Sequence, residues 1–295
     1  MSASVRTVLT PAQWRDRRDA HLARVDELIG PYLQARRRGV KHPVLDFLFT
    51  YYSSRPADIR RWHPGFGTIL EDADEYAGLR GYRRVDAGIT ADPAHLADRA
   101  QTLDSVAGLL GVTAAREPRF GCFGLHEWAM VYRTSDIRHA LPLRLGSDGT
   151  DAVVESMPLR CTHFDAFRFF TEPARPRNAT TLSRATQRDH EQPGCLHATM
   201  DLYRACISLR PLLPSEVTFA AFEIALSARE LDMRASPYDL TSLGYRPVAI
   251  ETPAGRAAYV REQTAIAGRG AAVRAEILEQ CRALQEARNS VAPPE

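Results

Sequence analysis

Lysine is almost missing from this chain. Among 38 basic residues in 295, Lys41 is the single lysine and the rest are arginines. The bias fits a GC-rich coding sequence. Arginine also grips phosphate bidentately where lysine offers a point charge, and composition alone does not separate the two causes. With 36 acidic residues the net charge is only +2. So small an excess implies no nucleic-acid partner unless the arginines gather on one face.

Long apolar runs are also lacking. No stretch reaches the roughly 18 residues of a membrane-spanning helix, so no membrane partner is expected. Met1–Thr10 carries no apolar signal-peptide core. Cysteines number five, an odd count that argues against a disulfide framework. The resulting expectation is a cytoplasmic protein with reduced thiols. No Cys-x-x-Cys pair, P-loop, Gly-x-Gly-x-x-Gly, Gly-x-Ser-x-Gly or solenoid repeat occurs. His126-Glu127-Trp128-Ala129-Met130 begins like a zincin helix but ends in methionine where the second histidine belongs. The deaminase pattern is absent.

What remains is ordinary globular composition, 44% hydrophobic and 25% charged. The length suits a single catalytic domain over 1–290 with a disordered tail at 291–295. Helical signals dominate. Thr10-Pro11 opens a helix to Arg38, with a kink or break expected at Gly30-Pro31. Further helices are expected from Val44 to Tyr52, from Pro56 to about Trp62, and from Asp92-Pro93 to about Ala115. Others run from Cys195 to about Leu209, from Pro214-Ser215 to about Met233, briefly after Ser236-Pro237, and from Thr252-Pro253 to about Arg288. Leu141–Leu145 and Ala152–Ser156 flank a Gly-Ser-Asp-Gly turn and read as a β-hairpin. Val248–Glu251 reads as a small strand, and residues 63–91 and 171–191 read as loops. The fold class is therefore mainly α, a helix-rich α+β domain with one small β-hairpin or sheet.

Three segments share a local grammar. Cys122 precedes His126 and Glu127; Cys161 precedes His163 and Asp165; Cys195 precedes His197 and Asp201. Three of five cysteines and three of nine histidines fall in them. Thiolate and imidazole are the common protein ligands of zinc and iron, and a carboxylate orients a ligating histidine through its second nitrogen. A Cys–His pair also makes a nucleophile, and an acid beside a histidine makes a general base. A single such segment usually only packs or satisfies one hydrogen bond. Three together, with acids, point to a site. The candidate metal ligands are His42, His126, His163, Cys161, Cys195 and His197, for zinc or iron. No cofactor is otherwise implied. His197 and Asp201 share a helical face, and His42 and Asp46 repeat that spacing. Cys206 and Cys281 read as core, and His21, His95 and His139 as solvated.

Two further regions are polar. Tyr51, Tyr52, Arg55, Arg61 and Trp62 interleave aromatics with arginines, a combination that stacks bases and holds phosphate or packs as a helix pair with a basic rim. Residues 229–239, including Arg234, form either a capped helix junction or a polar pocket wall.

Long stretches at these places carry a resemblance. His42-Pro43, Asp46-Phe47-Leu48-Phe49-Thr50-Tyr51-Tyr52 and Phe120-Gly121-Cys122-Phe123-Gly124-Leu125-His126-Glu127-Trp128 are among them. So are Asp165-Ala166-Phe167-Arg168-Phe169-Phe170, Gln192-Pro193-Gly194-Cys195-Leu196-His197 and Glu230-Leu231-Asp232-Met233-Arg234. Across nearly its whole length the chain resembles a family of actinobacterial proteins identified as 3-methyladenine DNA glycosylases. The resemblance implies hydrolysis of the N-glycosidic bond of an alkylated base, with damaged DNA or a nucleobase-like small molecule as partner. Such chemistry needs aromatics for a flipped base and a carboxylate for the sugar cation or a water. Tyr51, Tyr52, Trp62 and Trp128 suit the first role, with Arg55, Arg61 and Arg234 as further binding residues. Asp46, Asp165 and Asp201 suit the second, beside the candidate catalytic Cys122, His126 and Glu127. No helix-hairpin-helix, HEAT repeat or β-rich pattern accompanies the resemblance, so it transfers no residue by position. The alternative is a metal-dependent enzyme acting on a small molecule through the His/Cys/Asp cluster.

Overall fold

The computed structural model describes residues 7–136 and 141–291. It is mainly helical with one small sheet, as the helical signals imply. The chain falls into two compact units. Unit 1 comprises residues up to 110 with 202–223 and 273 onward; unit 2 comprises 111–201 and 224–272.

In unit 1, β1 (Thr7–Leu9) leads into α1 (Pro11–Arg37). The Thr10 hydroxyl accepts from the Gln13 amide, and the Gln13 side chain accepts from the Thr10 amide. This reciprocal cap, with Pro11 in the first turn, fixes the helix start. The expected break at Gly30-Pro31 is absent: Pro31 lies within a continuous helix whose Val25, Ile29 and Tyr32 are buried. Packing of that face outweighs the lost backbone bond. Then follow α2 (Leu45–Tyr51) and α3 (Pro56–Arg60), with the latter's Asp58 carboxylate capping the Arg55 amide. His42 therefore precedes α2 rather than sharing its face with Asp46; instead its amide donates to the Asp46 carboxylate at 2.7 Å.

Residues 63–91, expected to be loop, hold β2 (Thr68–Leu70), β3 (Tyr82–Val85) and β4 (Gly88–Ala91). The sheet order is β1-β2-β4-β3, parallel between β1 and β2 and antiparallel elsewhere. Strands of three or four residues are too short to show an alternation in sequence. Leu9, Trp14, Trp62, Leu70, Tyr76 and Ile89 form the apolar cluster under the sheet. The expected helix to Ala115 divides into α4 (Pro93–Asp98) and α5 (Ala100–Ala114). His21 and His95 are buried, not solvated, because each ring bonds a backbone carbonyl, of Ile59 and Arg210 respectively.

Unit 2 holds α6 (Leu125–Ala129), α7 (Gly146–Ser156), α8 (Phe164–Phe167) and α9 (Gln187–His190). No β-hairpin forms at 141–156. Gly146 starts a helix, with the Thr150 hydroxyl donating to the Gly146 carbonyl and Val153 and Val154 buried. Three helices, α10 (Leu196–Ser208), α11 (Ser215–Ala235) and α12 (Pro253–Val291), follow the expected spans closely, and each contains a unit boundary. No strand forms at Val248–Glu251, and the residues after Ser236-Pro237 make only a helical turn at Thr241–Leu243. Val291 ends α12; the remainder of the expected tail, and His139, lie outside the described residues. No described helix is long and apolar enough to cross a membrane.

Candidate metal centre

The three Cys–His segments meet inside unit 2. Gly124, at φ 75°, turns the chain into α6, a conformation that a side chain disfavours. His126 and Glu127 follow, both buried. His126 Nε2 lies 2.7 Å from Asp232 Oδ1 on α11, and its Nδ1 lies 3.4 Å from Cys122 Sγ. Glu127 points elsewhere, as neighbours on a helix must, but joins the same network through Arg229. The Arg229 guanidinium donates to Glu127 at 2.7 Å and to Asp232 at 2.9 Å. Arg229 and Asp232 are one helical turn apart on α11, and both are almost wholly enclosed.

His197 enters from the first turn of α10. Its position is set by residues 192–194. The Gln192 side-chain oxygen accepts from the Arg119 and Gly194 backbone amides, and the Gln263 side-chain Nε2 donates to the Gly194 carbonyl. Gly194 passes so close to Arg119 that an added Cβ would stand 2.8 Å from that carbonyl oxygen. The His197 ring meets the His126 ring edge-on at 4.5 Å between centroids, and the His163 ring lies 5.2 Å from His197. His163 sits just ahead of α8, where its carbonyl accepts from the Ala166 and Phe167 amides. Asn178 clamps the preceding Cys161 peptide from both sides. His163 Nε2 is 3.3 Å from Asp201 and 3.8 Å from Glu191, within ion-pair range but misaligned for a hydrogen bond. The shared face of His197 and Asp201 is thus realised, with His163 between them and Glu191.

Charge divides the three imidazoles. Burial opposes a proton on His126, but Asp232 and Cys122 outweigh it and raise its pKa well above the usual value. Burial also opposes charge on Asp232, yet His126 and Arg229 hold its carboxyl below the ordinary range. His163 is raised in the same way, its burial overcome by Glu191 and Asp201. His197 goes the other way: burial, then the neighbouring His126 and His163, push it well below normal, so it is neutral. Neutral imidazole is the form that ligates a metal, and His197 Nδ1 is buried without a hydrogen-bond partner. One donor atom each from His126, His197 and Asp232 lie within 4.8 Å of one another, so one ion can reach all three. Burial raises the thiols of Cys161 and Cys195, which keeps them protonated; Cys161 Sγ donates to the His163 carbonyl.

A pocket of about 280 Å³ opens beside this cluster, lined by Cys122 and Cys161 together with Arg119 and Arg160. Both arginines are exposed.

The remaining candidates are placed as follows. His42 belongs to unit 1, edge-on to Tyr32, and Asp46 there accepts from the Tyr32 hydroxyl. Tyr51 is half-buried, stacked on Phe47 with Arg204 over its ring, and Tyr52 is buried against Tyr203. Trp62 and Trp128 are enclosed, their indole N–H groups committed to Glu216 and to the Ala235 carbonyl. Arg55 and Arg61 are exposed. Arg234 pairs with Glu262 through two hydrogen bonds. Asp165 is buried in ion pairs with Arg168 and Arg184. Cys206 and Cys281 are core residues. Sequence reasoning held Arg229 and Asp232 only within the polar 229–239 region, as a helix junction or pocket wall and without a role at the histidines, and it missed Glu191. The available signal was an arginine and an aspartate one turn apart amid the apolar Ala225, Ala228, Leu231 and Met233. Comparison of the chain with protein-family models, curated proteins and solved structures finds no match.

Proposed function

We propose that this protein is a metal-dependent enzyme acting on a small anionic molecule. His126, on releasing the proton that Asp232 and Cys122 favour, would hold one zinc or iron ion together with His197 and Asp232, and the substrate would occupy the adjoining pocket. The observation that carries the reading is the meeting of two imidazoles and a carboxylate in one enclosed cluster, with a neutral, unpartnered nitrogen on His197. Two histidines and one acid leave coordination positions open, the pattern of catalytic rather than structural sites. A bound ion would supply Lewis acidity. The protein's own contribution is positional. Arg229 fixes the Asp232 carboxylate, and Glu127 balances the Arg229 charge. His163, whose proton Glu191 and Asp201 favour, lies 5.2 Å from His197 between ring centroids and would serve as a buried proton donor. Arg119 and Arg160 have no carboxylate within ion-pair distance among the described residues, which favours an anionic substrate.

Metal analysis of purified protein tests this. About one equivalent of zinc or iron is expected, lost in His197→Ala and Asp232→Asn; a metal-free wild type that takes up neither ion would overturn it.

Glycosylase activity is the competing proposal and rests on the resemblance. With Trp62 and Trp128 enclosed, stacking on a flipped base would fall to Tyr51, where the base would have to displace Phe47 or Arg204 from the ring. Release of 3-methyladenine from alkylated DNA, abolished by Tyr51→Ala, would favour it over the metal reading.

A further inference from the structure

A second concavity, in unit 1, has a different chemistry. It encloses about 310 Å³, and its lining includes Arg61, Arg80, Arg99 and Arg210 with His63 and His95. Its single acid is Asp58. One oxygen of Asp58 is already engaged by the Arg55 amide at 2.8 Å, and the other lies 3.7 Å from Arg210. Four guanidinium groups against one carboxylate leave three positive charges uncompensated within the pocket. Among the described residues no carboxylate comes within ion-pair distance of Arg61, Arg80 or Arg99, although arginines elsewhere in the unit, such as Arg18, Arg60 and Arg288, are paired.

The two histidines of the lining are buried and hydrogen-bonded. His63 is buried with Nδ1 2.8 Å from the Tyr82 hydroxyl and its own amide 2.7 Å from the Ser215 hydroxyl oxygen. His95 is held by the Arg210 carbonyl at 3.1 Å. The positive field is felt at His63: burial first, then Arg210 and Arg61, drive its pKa down to about 3. Like charges gathered on a concave wall repel one another and are retained at a cost that an anion would relieve. Guanidinium groups match a phosphate's oxygens in pairs.

We propose that this pocket binds the terminal phosphate of a small phosphorylated molecule. The converging arginines and buried histidines suit a compact dianion. A polynucleotide backbone has one charge per phosphate and needs an extended basic track rather than a cup. The proposal is independent of the metal centre, since every residue in it lies in unit 1.

Calorimetric titration of the full-length protein with inorganic phosphate, at ionic strength held constant with chloride, tests the proposal. Saturable one-site binding is expected. Arg61→Ala/Arg99→Ala should weaken it at least tenfold, whereas the exposed, distant-in-sequence Arg17→Ala should bind as wild type. Should the double variant fail to fold by circular dichroism, the exposed Arg80→Gln alone is expected to weaken binding about threefold. Absence of saturable phosphate binding, or affinity unchanged in the folded variants, would overturn the proposal. So would a single-stranded oligonucleotide that binds more tightly than phosphate and loses affinity steeply with salt.

Discussion

His126 and Asp232 stand 106 residues apart in sequence and 2.7 Å apart in space, both buried, and each sets the charge of the other. Asp232 keeps His126 protonated, and His126 with Arg229 keeps Asp232 ionised against the penalty of burial.

Asp232→Asn removes the carboxylate while keeping its shape. The metal-free variant should lose about 3–5 kcal/mol, the usual cost of leaving a buried charge without its partner. The His126 ring, raised in the wild type, should deprotonate at lower pH. Urea unfolding and imidazole NMR titration read the two effects. The pH dependence has a definite sign. A raised histidine stabilises below its free value near 6.5 and loses that contribution as pH climbs through its folded value. A depressed aspartate stabilises above 3.8 and loses it as pH falls through its folded value.

Arg229 serves two acids at once. Arg229→Met strands Glu127 and Asp232 and should cost about 3–5 kcal/mol. Adding Glu127→Gln removes one stranded charge, so the double variant should be more stable than the sum of the single effects by about 0.5–3 kcal/mol. A double-mutant cycle in urea measures the coupling; strict additivity would show that Arg229 and Glu127 do not act together.

Gly194→Ala would drive a methyl group against the Arg119 backbone, with its Cβ 2.8 Å from that oxygen and 2.9 Å from that nitrogen. Backbone has little room to yield. A loss of about 1–3 kcal/mol is expected, together with weaker metal uptake because the first turn of α10 carries His197. Cobalt titration followed by absorbance reports the second effect, and wild-type affinity would rule out that coupling.

Acid should destabilise unit 1 through His63. Its folded value lies at about 3 against 6.5 in a free histidine. Below 6.5 the unfolded chain takes up a proton that the folded chain refuses, so stability falls as pH drops toward 3. From about pH 7 to about pH 5 this costs roughly 2 kcal/mol. His63→Gln should show a shallower loss over the same interval in denaturant melts.

Local physics made much of the chain legible in advance. The cap at Thr10-Pro11 and the proline-led starts at Pro214-Ser215 and Thr252-Pro253 locate α1, α11 and α12, because capping and helical periodicity act within a few residues. The pairing of Cys122 with His126, and the common face of His197 and Asp201, are equally local. Short strands and the Gly-Ser-Asp-Gly turn were misread because neither carries enough periodic sequence to choose a state without its surroundings. Only the tertiary structure decided that His126 and His197 meet while His42 packs beside Tyr32 in unit 1. It alone brought in Asp232, Arg229 and Glu191, and enclosed Trp62 and Trp128. Contacts across a hundred residues depend on how helices pack, and residue spacing along the chain does not encode them.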